Sequence, residues 1–454
     1  MLGIAQAGLF GSIGGRLDIN SPVQLWMLVF VSLGVHLVLL YGAGCFRRDT
    51  LINFQTATSR LAVALGVSAV VLLLLMHFVM AYIFPDALIY RSISRSATIA
   101  FLGMGVSLCV GLYSRVLFFA MARRHWFRRR VLIVGTGSRA LYLYNLLNSD
   151  SHRELTEMAF LPETVIGGEP TQAPSALRDR IVPTSGESLE QLANQLLVDE
   201  LVVAVDEQRG LALEALLPWK TNGIPVFEFN AFIERETGRV DLRWLELSYL
   251  LFSTGFQIRL MDAALKRAMD IVVSSVALLV SLPVLLLSAI AIVSEDFGPV
   301  FYRQTRVTQG GRTFWIYKLR TMRTDAEKFG AQWAEEDDPR ITRVGRFLRR
   351  TRVDEIPQLF NVLIGQMSLV GPRPERPLFV EDLSKKIRLY SLRHNVKSGL
   401  TGWAQINYPY GASEEDARRK LEYDLYYMKN YSLLRDLSIM LQTFRVLIWP
   451  QGVR

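Results

Sequence analysis

Cysteine is almost missing from this chain: 454 residues hold two, Cys45 and Cys109, both within or beside long apolar runs. Neither a disulfide framework nor a cysteine-based metal site is therefore expected. No zinc-finger, helix-turn-helix or RNA-binding signature accompanies the net charge of +9, so lipid and phosphate come before nucleic acid as partners of a basic chain. The first 20 residues are Gly-rich and lack a basic start or a firm cleavage pattern, so no cleavable signal peptide is expected. Internal repeats and low-complexity tracts are also missing. What the chain has is apolar material: half its residues are hydrophobic and its mean hydropathy is +0.23, high for a wholly soluble protein. Its length suits two or three domains with sizeable cores.

Three long apolar segments open the chain, at about 23–44, 60–84 and 96–121. Each reaches the roughly 20 residues a membrane-spanning helix needs. Arg47, Arg48 and Arg60 lie between the first two, and Arg123, Arg124, His125, Arg128, Arg129 and Arg130 follow the third. Positive charge marks the cytoplasmic side, so both regions are placed there and the loop of residues 85–95 outside. Residues 1–18 could add a short fourth helix, so three or four spans both remain open. His36 and His77 within these runs read as packed or hydrogen-bonded rather than functional.

Residues 131–256 read as a soluble α/β domain. Strand-like runs at 131–134, 201–205 and 224–229 alternate with helical stretches, one of them at 187–197, which implies a parallel sheet. The first strand leads into Gly135-Thr136-Gly137-Ser138-Arg139-Ala140, the strand–turn–helix context of a phosphate-binding loop. No clear second strand ending in an acidic residue follows about 20 positions on. Gly135 and Gly137 thus fit either a retained turn without a ligand, which is favoured, or a site for a regulatory nucleotide or nucleotide sugar.

A fourth apolar run covers about 271–293, with Pro283 near its middle and basic residues on both flanks: Lys266 and Arg267 before, Arg303, Arg306 and Arg312 after. A simple span would place one basic flank outside, and proline removes a helix hydrogen bond. A helix–break–helix entering and leaving by the cytoplasmic face is favoured over a kinked span. Farther on, Ser413 and Asp416 suit a capping box, with Ala417, Leu421, Leu425 and Met428 on one helix face. Residues 433–449 suit either a helix on the membrane surface or a buried core helix.

The chemistry concentrates between Asp337 and Pro377. Arg340, Arg343, Arg346, Arg349, Arg350 and Arg352 lead into Asp354-Glu355-Ile356-Pro357-Gln358, followed by Asn361 and Gly371-Pro372-Arg373-Pro374-Glu375. Guanidiniums neutralise diphosphate oxygens, while adjacent carboxylates hold magnesium or attack phosphorus. A solvated amphipathic helix with internal ion pairs fits the same spacing. Spacing alone decides neither.

Lys266-Arg267-Ala268-Met269-Asp270 ahead of a proline-broken apolar segment resembles the entry motif of the bacterial sugar transferase family, the monotopic phosphoglycosyl transferases. Asp354–Leu359 and then Met367–Pro374 resemble that family's catalytic core, and Gly399–Asn407 its downstream motif. The resemblance covers about 257–454. The preceding half resembles the large-form members, which carry membrane helices and a Rossmann-like domain. Glu234–Val240 and Phe252–Phe256 resemble the exopolysaccharide subgroup linked to exosortase systems. Leu282 stands before Pro283 where family members often carry serine, and the opening membrane region is shorter than the usual four helices.

The resemblance implies three parts: transmembrane helices over 1–125, a Rossmann-like cytoplasmic domain over 126–256, and a mostly helical catalytic domain over 257–454 with a re-entrant helix at about 266–295. It implies a multi-pass protein of the bacterial inner membrane with its catalytic domain on the cytoplasmic face. The implied activity is that of an undecaprenyl-phosphate sugar phosphotransferase: a sugar 1-phosphate moves from a UDP-sugar to undecaprenyl phosphate, releasing UMP, at the first membrane step of exopolysaccharide, capsule or O-antigen synthesis. Asp354 would be the nucleophile and Glu355 the ligand of Mg2+. Arg349 and Arg373 would hold phosphate oxygens, with Lys266 and Arg267 at the carrier's phosphate head. Asp270, Pro283, Gln358, Pro372 and Pro374 are expected in structural or substrate-contacting roles, Asp270 by pairing with Lys266 or Arg267. A membrane-bound nucleotide-sugar dehydratase or epimerase is the alternative, but its Tyr-x-x-x-Lys pair is missing from the chain. A non-catalytic sensor or scaffold is the other. The sugar is not legible, and a homodimer is the expected assembly although no motif reads it directly.

Overall fold

A computed structural model describes residues 33–47, 54–82, most of 109–121, 128–149, 156–183, 196–207, 211–326 and, apart from 410 and 412, 338–448. Residues 1–32, the loop 85–95, much of the third apolar segment, residues 187–195 of the helix expected at 187–197 and the His77 side chain lie outside the described residues. The chain divides into two compact units, Met1–Glu236 and Thr237–Arg454.

In the first unit the apolar segments are helical where described: Leu33–Gly42, Phe54–Tyr82 and Cys109–Phe118. Ser68 Oγ and His36 Nε2, both buried, lie 3.2 Å apart, so His36 has the hydrogen-bonded packing role expected of it. The α/β part is a four-stranded parallel sheet of β1 (Arg129–Val134), β2 (Thr156–Leu161), β3 (Glu200–Val203) and β4 (Val226–Glu228), in the order β2-β1-β3-β4. Val131, Leu132, Ile133 and Val134 are all buried, as a central parallel strand covered on both faces requires. Leu132, Val134, Leu161, Leu201 and Trp219 share one core. The second strand, not legible in the sequence, is β2. Its apolar run, Met158–Leu161, holds no β-branched residue and so lacks the composition that marks a strand.

The second unit is built on one helix, Leu260–Asp296, with Pro283 inside it. Among the described residues this is the only helix long and apolar enough to cross a membrane. One stripe faces inward in two pairs four residues apart (Asp270 and Ser274, Ser288 and Ile292), while Val272, Leu279, Val280, Leu287 and Ile290 are exposed. An exposed apolar flank costs solvation in water and none in lipid. The helix leads into an antiparallel hairpin of β5 (Phe301–Val307) and β6 (Thr313–Leu319), paired from Phe301↔Leu319 to Val307↔Thr313. Short helices Arg343–Thr351 and Gln358–Leu363 follow, then a parallel pair, β7 (Ser368–Val370) and β8 (Gly399–Thr401).

The capping box at Ser413 and Asp416 is present, and the helix Glu414–Lys429 buries Leu421, Leu425 and Met428 as its spacing predicts. Val240 packs on Leu421 and Leu425, and Val240 N donates to Glu422 O, so the stretch after Thr237 belongs to this unit's packing. The final helix, Leu433–Ile448, buries Ile439 in the core and exposes Leu434 and Leu437.

Candidate active site

The helix Arg343–Thr351 begins where Thr342 Oγ1 accepts from Gly345 N at 2.9 Å, and where Glu295 accepts from the N–H groups of Arg343 and Val344. Unpaired N–H groups at a helix start favour such acceptors. It stops because Arg352 adopts a left-handed conformation (φ +59°), uncommon for a residue with a side chain. That reversal puts Asp354 and Glu355 on a tight turn, and Pro357 starts the helix Gln358–Leu363 directly after. Asn361, fully buried in that helix, accepts from Tyr317 N and donates to Trp315 O at 2.7 Å. Asn361 thereby fixes the carboxylate turn against β6, one residue from Lys318.

The two neighbouring carboxylates are treated differently. Glu355 Oε1 takes three cations: Lys318 Nζ at 3.3 Å, Arg352 Nη1 at 3.3 Å and Arg373 Nη2 at 3.5 Å. Burial alone would raise this carboxyl, but Lys318, Arg373 and Arg352 outweigh it and hold the group well below the usual range. Asp354 is 7% exposed and has no hydrogen bond or ion pair among the described residues. Burial pushes its carboxyl up, reinforced by Glu355 and opposed by Lys318, Arg349 and Arg352. Burial likewise lowers Lys318, opposed by Glu355. A desolvated carboxylate without a partner is an available nucleophile; one held by three cations is not.

Arg349 donates from Nε to Thr321 Oγ1 at 2.8 Å, on the Asp354 side of the turn. Arg373 is positioned from behind: its carbonyl accepts from Arg393 Nη2, and Arg393 is buried against Asp424 at 2.9 Å. Pro372 O accepts from Gly399 N, and Pro374 O from Arg306 Nη1, so both prolines brace the Arg373 strand-end. Gln358 is buried at the start of its helix.

Lys266, Arg267 and Asp270 form a separate group at the base of the long helix. Lys266 Nζ bonds Asp436 at 2.5 Å and Val370 O at 3.0 Å. Arg267 donates to the carbonyls of Val362 and Leu363 at 2.7 and 2.6 Å. Asp270 accepts from Ser368 Oγ and Leu369 N, not from Lys266 or Arg267 as expected. The three therefore tie the helix to its neighbours: Lys266 and Asp270 to β7, Lys266 also to the final helix, and Arg267 to the end of the helix Gln358–Leu363. Pro283 lies farther along the same helix.

Gly135 and Gly137 lie in the first unit, where φ is +132° at Gly135 and a Cβ on Gly137 would meet Asp206 Oδ2 at 2.4 Å. The N–H groups of Thr136, Ser138 and Arg139 in this turn are already taken. Glu163 accepts from Thr136 N at 2.6 Å, and Asp206 accepts from Ser138 N and Arg139 N at 2.8 and 2.9 Å. Two resident carboxylates thus stand where a bound phosphate would stand. Glu163 follows β2 by two residues, so an acid does follow the second strand but turns back onto the loop.

Sequence reasoning missed Lys318, Thr321 and the Arg393–Asp424 pair. A lysine inside an otherwise apolar strand was the one available signal for Lys318; pairing from residue 318 to 355 is set only by the fold.

Fold and site define an arginine-lined, two-carboxylate centre built onto an exposed apolar helix. The profile of the bacterial sugar transferase family matches residues 261–450. An Aeromonas hydrophila protein named UDP-N-acetylgalactosamine-undecaprenyl-phosphate N-acetylgalactosaminephosphotransferase is 43% identical over 234 residues, 51% of this chain and 54% of that one. A Bacillus subtilis (strain 168) protein, provisionally named an undecaprenyl-phosphate N-acetylgalactosaminyl 1-phosphate transferase, is 52% identical over 29% of this chain and 73% of its own length. The UDP-glucose:undecaprenyl-phosphate glucose-1-phosphate transferase of Escherichia coli (strain K12) is 43% identical over 39% of each chain. The chain belongs to the bacterial sugar transferase family. It spans about half the length of the Aeromonas relative, and the names of these relatives differ in the sugar.

Proposed function

We propose that the chain moves a sugar 1-phosphate from a UDP-sugar to undecaprenyl phosphate. An Asp354 carboxylate oxygen attacks the phosphorus that carries the sugar, the bond to UMP breaks, and UMP leaves with that electron pair. An oxygen of undecaprenyl phosphate then attacks the same phosphorus, displacing Asp354 and forming undecaprenyl diphosphate sugar. The observation that carries this reading is the unpaired, buried Asp354 beside a Glu355 held by three cations. Lys318, Arg349 and Arg373 supply the positive charge that the transferring phosphoryl group requires.

Magnesium fits the donor set. All three cations on Glu355 fall on Oε1, leaving Oε2 and the Asp354 oxygens as hard donors, and magnesium commonly takes one or two carboxylates plus substrate phosphates. When bound it neutralises diphosphate charge.

Membrane placement follows the same reading, with the catalytic unit on the cytoplasmic face of the bacterial inner membrane. A straight helix of 37 residues runs about 55 Å, against about 30 Å of bilayer hydrocarbon. Yet its start bonds the catalytic unit through Lys266, Arg267 and Asp270, and its end bonds the same unit through Glu295 and Asp296–Arg320. Anchors at both ends support a helix that bends at Pro283 and re-enters. The parallel sheet with its glycine turn supports a Rossmann-like domain, and the two carboxylates in that turn favour one without a phosphate ligand.

The test is UMP release from a panel of UDP-sugars by the full chain in lipid, with undecaprenyl phosphate and magnesium. Release with one sugar, dependent on the carrier and lost in Asp354→Asn, is the expected outcome. No release with any donor from folded protein would overturn the transferase reading and favour a scaffold.

A further inference from the structure

Beside the anchored base of the long helix, the backbone leaves a notch. Gly365 ends the turn after the helix Gln358–Leu363 with φ of +86°. A Cβ built there would lie 3.4 Å from Arg267 Nη2 and 3.6 Å from Lys397 Nζ. With no side chain on Gly365, the space between the two cations stays open. Among the described residues neither cation forms an ion pair with an acidic group. Arg267 gives one N–H from each terminal nitrogen to carbonyls, which leaves its charge uncancelled and further N–H groups to donate. Among the described residues Lys397 has no hydrogen bond or ion pair. The Asp270 carboxylate offsets part of this charge from a distance, while its hydrogen bonds go to Ser368 and Leu369.

Two like charges this close repel, and burial adds to the cost of keeping both ionised. Consistent with that, burial first, then Arg267 and Lys266, push the Lys397 ammonium down from its ordinary value. An anion between them reverses the sign of that interaction. The surroundings identify the anion's carrier: Ile364 and Phe360, one turn apart beside Gly365, are 48% and 49% exposed, and Ile271 and Val272 of the long helix are exposed as well. Apolar surface around a cationic notch suits a phosphate on a hydrocarbon chain rather than one free in water. The charges that act on Lys397 are Arg267, Asp270 and Lys266, none of which is among the main charges acting on Asp354. The notch is therefore electrically separate from the carboxylate centre.

We infer that the Gly365 notch binds the phosphate head of a membrane lipid between Arg267 and Lys397. The phosphate oxygens accept from Arg267 Nη2 and from Lys397 Nζ, and the lipid chain lies along Ile364 and Phe360. The same chemistry is presented by the polyprenyl phosphate carrier and by an anionic phospholipid.

The full chain is reconstituted in phosphatidylcholine bilayers doped with either phosphatidylglycerol or undecaprenyl phosphate, and lipid retained after extraction is counted by native mass spectrometry. No sugar donor is present, so the outcome is independent of the transfer reaction. Lys397→Gln should reduce retention of one of the two lipids roughly tenfold, the scale of one charge-assisted contact, and Lys397→Arg should restore it. Loss for undecaprenyl phosphate alone marks a carrier site; loss for phosphatidylglycerol alone marks a structural lipid. As a check on folding, acetylation of wild-type Lys397 by a water-soluble ester should slow several-fold when that lipid is present. Equal retention by wild type and Lys397→Gln in both bilayers, or acetylation indifferent to either lipid, would overturn the inference.

Discussion

Asp206, three residues past β3, and Asp354, two residues past the left-handed Arg352, have opposite fates. Both have a second carboxylate near, Glu163 in the first unit and Glu355 in the second. At the glycine turn both carboxylates are consumed by backbone N–H groups, and those of Arg139 and Ser138 overcome burial to hold Asp206 below its ordinary pKa. At the second turn three cations crowd onto Glu355, while Asp354 is buried, unpaired and pushed upward. A paired carboxylate is stable and inert. An unpaired one is costly to bury, and that cost is tolerated where the group must react.

The sharpest way to break this comparison is to neutralise both aspartates. Asp354→Asn should lower single-turnover UMP release by about 1,000-fold or more, as expected when a nucleophile is removed. Asp206→Asn should leave release within about threefold and reduce stability by about 1 kcal/mol, the scale of a lost helix cap. Equal losses of activity from both would erase the distinction.

Lys318→Gln sharpens it on the second turn alone. Asp354 must be ionised to attack, and its carboxyl is raised, so release falls as pH drops through a value above that of an ordinary aspartate. Lys318 opposes that rise, so its loss should move the acid limb of the rate profile to still higher pH. The rate at the optimum should fall about 10- to 100-fold. An acid limb that stays in place would show that Lys318 does not act on Asp354.

The smallest effect concerns stability behind Arg373. His394 is pushed down to about 4, by burial first and then by Arg393. Because its folded pKa is depressed, its contribution is present above the unfolded value near 6.5 and is lost as pH falls toward 4. His394→Gln should flatten the denaturation midpoint across that window by about 1–2 kcal/mol, reduced from the full shift for partial exposure. A midpoint equally steep in both proteins would count against the assignment.

Much of the fold is written in local patterns. Apolar runs long enough for a bilayer, strands that are apolar throughout, a capping box and an ordered set of motifs are all of this kind, and local periodicity survives in one dimension. The strand β2 was not legible, because its apolar run Met158–Leu161 carries none of the β-branched residues that mark β1. The chain order by itself determined which residue types were available at the site: two adjacent carboxylates behind a run of arginines, and lysine and arginine ahead of an apolar helix. It could not say which carboxylate stays free, because neighbours such as Lys318 and Arg373 reach Glu355 only through folding. Nor could it say that Lys266 and Arg267 spend donors on Asp436, Val362 and Leu363, or that Glu163 and Asp206 fill the glycine turn. Burial and pairing are properties of three-dimensional neighbours, and a carboxylate's chemistry depends on both, so the tertiary structure alone decided which acid is left buried and unpaired.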